Sequence, residues 1–199
     1  MCGIAGFVND MPIDVKCPVL QRMTDMIAHR GPDSEGHYID EHAALGHRRL
    51  SIIDLGGGQQ PIYNEDGSKV ITFNGEIYNY QTLREELIAA GHTFTTKSDT
   101  EVLLHGYEQW GVDLLQRVRG MFTFVIWDKN KQELFGARDH FGIKPERQIV
   151  IGGPCHAEEV ALGRRSYLTV GSLDPSLAAA FAPCLQGPAL RTIVSGDVS

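Results

Sequence analysis

Cys2 is the first residue of this chain whose type and position could support covalent chemistry. It follows the initiator methionine directly, so removal of Met1 would leave a thiol and a free α-amine on one residue. An α-amine titrates at about 7.7–8.0 and a thiol at about 8.5, so the amine can act as the base for its own side chain. Cys2 is therefore a candidate N-terminal nucleophile. The alternative is that it is an exposed, inert residue at a frayed terminus.

The Asn74–Gly75 pair, at the end of a predicted strand, supplies a candidate partner for that nucleophile. The side-chain amide of Asn74 and the backbone N–H of Gly75 could stabilise an oxyanion, and such preorganised donors contribute about 10²–10³ in rate. Asn-Gly is also a strong signal for a two-residue hairpin turn. The residues that follow predict a helix and not a strand, which weakens the hairpin interpretation. On the local sequence the two interpretations stay equally open.

Arg49 and Asp99 are a natural pair for binding an amino acid. An arginine binds a carboxylate through two parallel hydrogen bonds, and an aspartate can bind an ammonium group. Each residue also has an ordinary structural explanation. Arg49 could be a surface residue of a strand, and Asp99 could complement the dipole of a helix in its first turn.

Composition limits the class of partner. The chain has 199 residues, of which 42% are hydrophobic, enough for one full domain with a core. Its formal net charge of −7 argues against nucleic acid or an anionic membrane as the main partner. No apolar run is long enough to cross a bilayer, and the first residues lack a signal-peptide pattern. The four cysteines have no paired spacing, so we expect a reducing cytoplasm.

Predicted strands are interrupted by helices without a regular βαβ alternation, which favours an α+β fold with largely antiparallel sheets. The segments "HRGPDSEG" (29–36) and "LGGGQQP" are rich in turn residues and are expected to be loops. The strand "KVITFNG" is expected to end at its Asn-Gly turn. The other expected strands are "CGIAGFV", "HYID", "AALGHRRLSIID", "GMFTFVIWD" and "ELFGARD".

Helices are predicted in three segments. "PVLQRMTDMIAH" has helical spacing of its apolar residues, with Pro18 near its start. "SDTEVLLHGYEQWG" begins with the pattern of a capping box, in which Ser98 faces Glu101. "NYQTLREELIAAGH" would end at Gly91 and carry Leu83, Leu87 and Ile88 on one face.

Ordered motifs along residues 1 to about 145 resemble one known family. The motifs are "MCGIAGF", "HRGPDSEG", "HRRLSIIDL", "GGQQPIYN", "NGEIYNY", "SDTEVLLHGYEQWG", "RGMFTFVIWD" and "GARDHFGIKP". They are similar to the glutaminase domain of glutamine-hydrolysing asparagine synthetase, a class II glutamine amidotransferase of the N-terminal nucleophile type. The resemblance implies a four-layer αββα sandwich, with Cys2 at the start of a strand between the sheets.

The resemblance also implies a role for each candidate residue. Cys2, freed of Met1, would attack the side-chain amide of L-glutamine and form a thioester with release of ammonia. Asn74 and Gly75 match the oxyanion-hole positions of the family. Arg49 matches the residue that holds the substrate carboxylate, and Asp99 the residue that holds its ammonium group. Further positions of the glutamine pocket are Leu50, Ile52, Ile53 and Glu76.

No metal or cofactor is expected in this chain. His29, His37, His42 and His47 are close in sequence, but their spacing fits no familiar zinc pattern. In the family, ATP and magnesium belong to a synthetase domain, which is absent from this sequence. The ammonia would therefore need an acceptor site elsewhere, and a separate synthetase chain is the expected partner.

The resemblance ends after "FGIKP", which predicts a glutamine amidotransferase domain at 1–145 and an unrelated tail at 146–199. The expected sandwich is therefore truncated at its C-terminal end, although "RQIVIGG" could add a substitute strand. Residues 152–172 resemble a fragment of NAD-dependent glycerol-3-phosphate dehydrogenase, without that family's nucleotide-binding glycines. Two alternatives stay open: an inactive, partly folded chimera, or a module that binds glutamine without turning it over.

Overall fold

A computed structural model describes residues 2–50, 58–141 and 143–144, and the backbone of three further strands. Within those residues, no helix combines the length and apolar character needed to cross a membrane. The helices are α1 (Ile13–Met26), α2 (Tyr80–Ala89), α3 (Asp99–Trp110) and α4 (Leu114–Arg117), with short 3₁₀ turns at Ala28–Arg30 and Gly111–Asp113. The strands are β1 (Gly3–Val8), β2 (Ser34–Ile39), β3 (Ala43–Arg49), β4 (Ile62–Tyr63), β5 (Lys69–Ile77), β6 (Gly120–Asp128), β7 (Glu133–Arg138), β8 (Val150–Gly152), β9 (Ser166–Gly171) and β10 (Leu190–Ser195).

The chain divides into two compact units. The first contains Met1–Ile4, His29–Gly36 and His47–Lys144, and the second contains Ala5–Ala28, His37–Gly46 and Pro145–Ser199. The predicted division at residue 145 into an amidotransferase domain and a tail stays a prediction.

The first unit is built on a four-stranded antiparallel sheet in the order β4-β5-β6-β7. Helix α3 packs on β5 and on α2, and apolar side chains of all three elements form one core. The "KNKQ" turn between β6 and β7 closes the predicted hairpin. The most deeply buried members of the core include Ile71, Ile77, Leu87, Val102, Leu103, Phe124 and Ile126.

Helix α2 ends with the glycine cap that the sequence predicts, and two of its three apolar residues are buried. Gly91 has a φ of 101°, and the backbone N–H of His92 donates to the carbonyl of Leu87 across 3.0 Å, which is a Schellman cap. Of the three apolar residues expected on one face, Leu83 and Leu87 are buried, whereas Ile88 is 52% exposed.

The start of α3 also differs from its prediction. Ser98 caps the helix by accepting a hydrogen bond from the backbone N–H of Thr100, not of Glu101. The carboxylate of Glu101 turns back to the backbone N–H groups and hydroxyls of Thr95 and Thr96, at 2.6–2.9 Å. The capping box is therefore wrong, because four local donors compete successfully for the glutamate.

Two predicted loop or turn boundaries are wrong. Strand β2 begins at Ser34, inside the segment 29–36 that was expected to be a loop. Strand β5 does not end at Asn74–Gly75 but continues to Ile77, since β6 pairs with it along its whole length. The Asn-Gly pair is thus part of a strand and not a turn.

The second unit contains helix α1. This helix begins at Ile13, so Pro18 lies inside it and not near its start as predicted. Lys16 is buried, and its ammonium group donates to the carbonyl oxygens of Asp40 and Glu41 at 3.0 and 2.5 Å. Those two acceptors explain how a charged side chain is accommodated there.

Two further three-stranded sheets have the orders β1-β3-β2 and β10-β9-β8. Strand β8 pairs antiparallel with β9, which pairs parallel with β10. Within "RQIVIGG", the residues Val150–Gly152 form β8, which pairs with β9. This strand therefore joins neither the β1-β3-β2 sheet nor the β4-β5-β6-β7 sheet and does not supply the substitute strand that the sequence suggested.

Candidate active site

Cys2 immediately precedes β1 and is half-buried. Its Sγ lies 3.8 Å from the carbonyl oxygen of Leu50, to which the thiol donates. The guanidinium of Arg30 donates through Nε to the Cys2 carbonyl at 3.3 Å. The thiol and the main chain of Cys2 are thus each tied to a different segment of the first unit. Met1 lies outside the described residues.

Asn74 and Gly75 lie side by side in β5, opposite Thr123 and Phe122 of β6. The Asn74 side chain is only 6% exposed. A Cβ atom on Gly75 would lie 2.4 Å from the carbonyl oxygen of Met121, which real Cβ atoms do not tolerate. Glycine is therefore required here by the close approach of β6, and the same approach fixes the position of the Gly75 backbone.

His47 links β3 to the residue before Asn74. Its Nε2 donates to the carbonyl oxygen of Phe73 across 3.1 Å, and the side chain is 1% exposed. Burial lowers the pKa of His47 to about 4, against the opposing effect of that hydrogen bond and with a smaller lowering from Arg49. The imidazole is therefore neutral, with its proton on Nε2.

Gln60 makes a second link that the sequence did not reveal. Its side-chain oxygen accepts from the backbone N–H of Phe73 at 2.5 Å, and its amide nitrogen lies 3.5 Å from the Thr100 hydroxyl. Gln60 is buried and so connects β5 to the first turn of α3. Nothing in the sequence indicates this role, because Gln60 is a polar residue in the expected loop "GGQQP", where side chains are usually exposed.

Asp99 is the first residue of α3, and its Oδ2 accepts from the backbone N–H of Ile77 at 3.0 Å. Burial raises the pKa of this carboxyl, assisted by the charge of Glu76 and opposed by backbone N–H groups of Ile77 and Thr100. The contact joins the start of α3 to the strand that carries Asn74.

Arg49 is the last residue of β3, and its carbonyl accepts from the backbone N–H of Asp33 at 3.0 Å. Its guanidinium approaches Gly58, where an added Cβ would lie 3.7 Å from Nη2 and 4.0 Å from the Ser98 hydroxyl. Gly58 thus lies between Arg49 and the N-terminal end of α3, which begins with Asp99.

Taken together, these contacts connect most of the predicted site within the first unit. Cys2 contacts Leu50, the neighbour of Arg49, and His47 connects the same strand to Asn74. Among the described residues, no hydrogen bond joins Cys2 directly to Asn74 or Asp99. Glu76 is exposed on β5, and Ile52 and Ile53 lie outside the described residues.

The described helices and largely antiparallel sheets form an α+β fold, as predicted. The chain belongs to the glutamine amidotransferase domain family, which matches residues 1–149. The glutamine amidotransferase family implied by the sequence motifs is thereby confirmed.

Curated relatives place the chain more narrowly. It is 53% identical over 148 residues to "Asparagine synthetase [glutamine-hydrolyzing] 1" of Bacillus subtilis, and 49% identical to that organism's "Asparagine synthetase [glutamine-hydrolyzing] 2". It is 40% identical over 158 residues to "Amidase chry2" of Gibberella zeae. These matches cover 72–73% of this chain but only 20–23% of the relatives, so the chain spans about a quarter of their length or less.

Solved structures show the same fold at low sequence identity. Glutamine phosphoribosylpyrophosphate amidotransferase of B. subtilis matches with a TM-score of 0.53 at 20% identity, over 70% of this chain and 37% of that one. A structure described as the allosteric regulatory enzyme of purine biosynthesis matches with a TM-score of 0.56 at 22% identity, over 77% of this chain and 40% of that one.

Proposed function

We propose that this chain hydrolyses the side-chain amide of L-glutamine to glutamate and ammonia through a thioester on Cys2. The observation that supports it most is that contacts join the segments carrying the proposed site residues within one unit. Cys2 contacts Leu50, next to Arg49; His47 of β3 contacts Phe73, next to Asn74; and Asp99 contacts Ile77 of β5. A nucleophile, an oxyanion donor pair and two ligand-binding charges are the parts that amide hydrolysis requires.

In the proposed reaction, the α-amine of Cys2 takes the thiol proton as sulfur attacks the amide carbon. Asn74 and the Gly75 N–H stabilise the resulting oxyanion. The carbon–nitrogen bond then breaks, and the amine returns its proton to the leaving ammonia. Water hydrolyses the thioester, which releases glutamate and restores the thiol. Removal of Met1 is a condition of this mechanism, because otherwise the amine belongs to another residue.

Recognition of the substrate is assigned to Arg49, for the α-carboxylate, and Asp99, for the α-ammonium. Glu76 and the segment from Leu50 to Ile53 would complete the pocket. A synthetase chain is the proposed partner that accepts the ammonia.

Glutamate release from L-glutamine by the purified chain tests the proposal. We expect turnover in the wild type, with intact mass confirming loss of Met1, and none in Cys2→Ala. The matched control is Cys17→Ala, which removes an exposed cysteine of α1 and should leave the rate unchanged. A Cys2→Ala variant that still binds glutamine would assign the loss to chemistry.

No turnover from a folded wild-type chain that lacks Met1 would contradict the proposal. Binding of glutamine by that chain would then favour a module without catalysis, whereas the lack of a cooperative unfolding transition would favour an inactive chimera. Equal loss in Cys2→Ala and Cys17→Ala would also count against a role specific to Cys2.

A further inference from the structure

Four side chains that can bind a metal converge in the first unit, and none of them belongs to the proposed amidotransferase site. Glu65 lies in the turn between β4 and β5, and His92 follows the glycine cap of α2. His105 and Glu108 lie three residues apart on α3, and therefore on one face of that helix. Three separate segments thus meet at one point.

The donor atoms of these side chains are spaced like the ligands of a small cation. His105 Nδ1 lies 2.9 Å from Glu108 Oε2 and 3.8 Å from Glu65 Oε1, and His92 Nδ1 lies 3.7 Å from Glu108 Oε2. The donors of Glu65, His92 and His105 all lie within 4.8 Å of one another. Ligands in a tetrahedral zinc site are about 3.3 Å apart, since each is about 2.0 Å from the ion.

Neighbouring groups orient both imidazoles toward this point. His92 Nε2 lies 3.1 Å from the side-chain oxygen of Gln109, so Nε2 carries a proton and the Nδ1 lone pair is available. His105 Nε2 lies 3.7 Å from Glu101, beyond hydrogen-bond distance but close enough for an ion pair. A carboxylate behind a histidine is a common arrangement in zinc sites.

Glu108 is oriented in a similar way. Its Oε1 accepts from the Asn64 amide at 2.7 Å and lies 3.6 Å from the ammonium group of Lys69. The second oxygen, Oε2, therefore faces the two histidines. His105 is almost fully buried, whereas Glu65 is 43% exposed and gives the cluster an opening to solvent.

The charge around His105 suits a cation. Carboxylate oxygens of Glu65, Glu101 and Glu108 all lie within 3.8 Å of its ring nitrogens, so a cation bound beside the imidazole would be surrounded by negative charge.

We propose that Glu65, His92, His105 and Glu108 form a site for a divalent transition-metal ion, with Zn²⁺ as the preferred ion. Two imidazole nitrogens and two carboxylate oxygens are a donor set that zinc accepts. The ion would join the β4–β5 turn, the end of α2 and the middle of α3, so its role is structural. The site differs from the sequence expectation of no metal, which was based on other histidines.

Calorimetric titration with ZnCl₂ tests this site in the full chain without a histidine tag. The Cys2→Ala background removes the thiol and amine pair that could bind zinc by itself. We expect one Zn²⁺ per chain, a higher unfolding temperature with zinc, and X-ray absorption showing nitrogen or oxygen ligands at about 2.0–2.2 Å. His92→Gln and Glu65→Gln change partly exposed ligands and should each weaken binding at least about tenfold.

His42→Ala is the matched control, because His42 also lies beside a carboxylate, 2.8 Å from Asp10. It should leave zinc binding unchanged. The proposal is overturned by a wild-type chain that binds no zinc, by equal affinity in His92→Gln, or by sulfur ligands near about 2.3 Å in the absorption spectrum. In each case the cluster would be an ion-pair network around a protonated His105.

Discussion

The Nε2–H of His47 donates to the carbonyl oxygen of Phe73 across 3.1 Å, at a point where the imidazole is 1% exposed. Arg49 lies two residues after His47 on β3, and Asn74 follows Phe73 on β5. One neutral side chain therefore sets the spacing between a proposed substrate-binding residue and a proposed oxyanion donor. Protonation of that side chain would place an uncompensated charge in the core.

Acid should destabilise the chain through His47. Its pKa is about 4 in the folded state and about 6.5 in the unfolded state, so between these values only the unfolded state binds the proton. Stability is fully present above about pH 6.5 and decreases as the pH falls toward 4, by up to ~3 kcal/mol. Denaturant unfolding at pH 7.5, 6.0 and 4.5 measures the change.

His47→Gln separates this effect from the titration of carboxylates. Glutamine can still donate to Phe73, but it has no charge to gain. The stability of the variant should therefore decrease less with acid than that of the wild type. Parallel curves for the two proteins would show that His47 does not titrate in this range.

Alanine at position 75 should disturb the sheet and the proposed oxyanion donors together. Its Cβ would meet Met121 O at 2.4 Å and Phe122 Cα at 2.7 Å, both in the backbone of the partner strand. We expect Gly75→Ala to lower the free energy of unfolding by about 1–3 kcal/mol. The glutaminase kcat should fall more than folding loss explains, because the Gly75 N–H is displaced.

Gly136→Ala is the matched control for Gly75→Ala. An added Cβ at Gly136, in β7 of the same sheet, meets nothing closer than 3.7 Å, from the carbonyl oxygen of Phe124. Stability should stay within about 0.5 kcal/mol of the wild type. Equal effects of the two variants would mean that any alanine in this sheet is harmful, and that close approach at Gly75 is not the cause.

Asp99→Asn should raise KM for glutamine and leave kcat nearly unchanged. Asparagine keeps an oxygen that can accept from the Ile77 N–H, but it lacks the charge that would pair with the substrate ammonium. Loss of a partly buried charge pair predicts an increase in KM of at least about 30-fold, equivalent to about 2 kcal/mol. Steady-state kinetics measure both constants, and an unchanged KM would remove Asp99 from the ammonium site.

Local patterns were sufficient for the parts of this protein whose physics is local. Gly91 caps α2 because a left-handed backbone favours glycine, and the β6–β7 hairpin follows from two apolar runs around a polar turn. The start of α3 could also be predicted locally, because Ser98 is a favourable N-cap residue. The hydrogen bonds of the Glu101 side chain could not be predicted, because their donors, Thr95 and Thr96, lie in a loop whose geometry the sequence does not specify.

Contacts between distant segments explain what the sequence could not predict. Asn74–Gly75 forms a turn in many local contexts, but here β6 pairs across it and keeps it extended. His47 and Gln60 reach the main chain of Phe73 from separate segments, and this depends on strand register that no single window contains. The roles of the site residues came from their order along the chain together with family resemblance, and they stay predictions.

Asp139 should be a main support of the strand opposite Gly75. Its buried carboxylate accepts from four backbone N–H groups, those of Phe122, Phe141, Ile143 and Lys144, at 2.9–3.2 Å. Burial raises the pKa of Asp139, but these bonds outweigh burial and lower it, so the carboxylate is charged at neutral pH. Asp139→Asn replaces one acceptor oxygen with a donor and should cost about 2–4 kcal/mol of unfolding free energy.

Asp113→Asn is the matched control for Asp139→Asn, since Asp113 is exposed and its side chain makes no capping hydrogen bond. It should change stability by less than about 0.5 kcal/mol. Because Phe122 pairs with Gly75, Asp139→Asn should also reduce glutaminase kcat under conditions where the variant is fully folded. A stable Asp139→Asn with wild-type kcat would show that the four backbone bonds neither support the fold nor position β6.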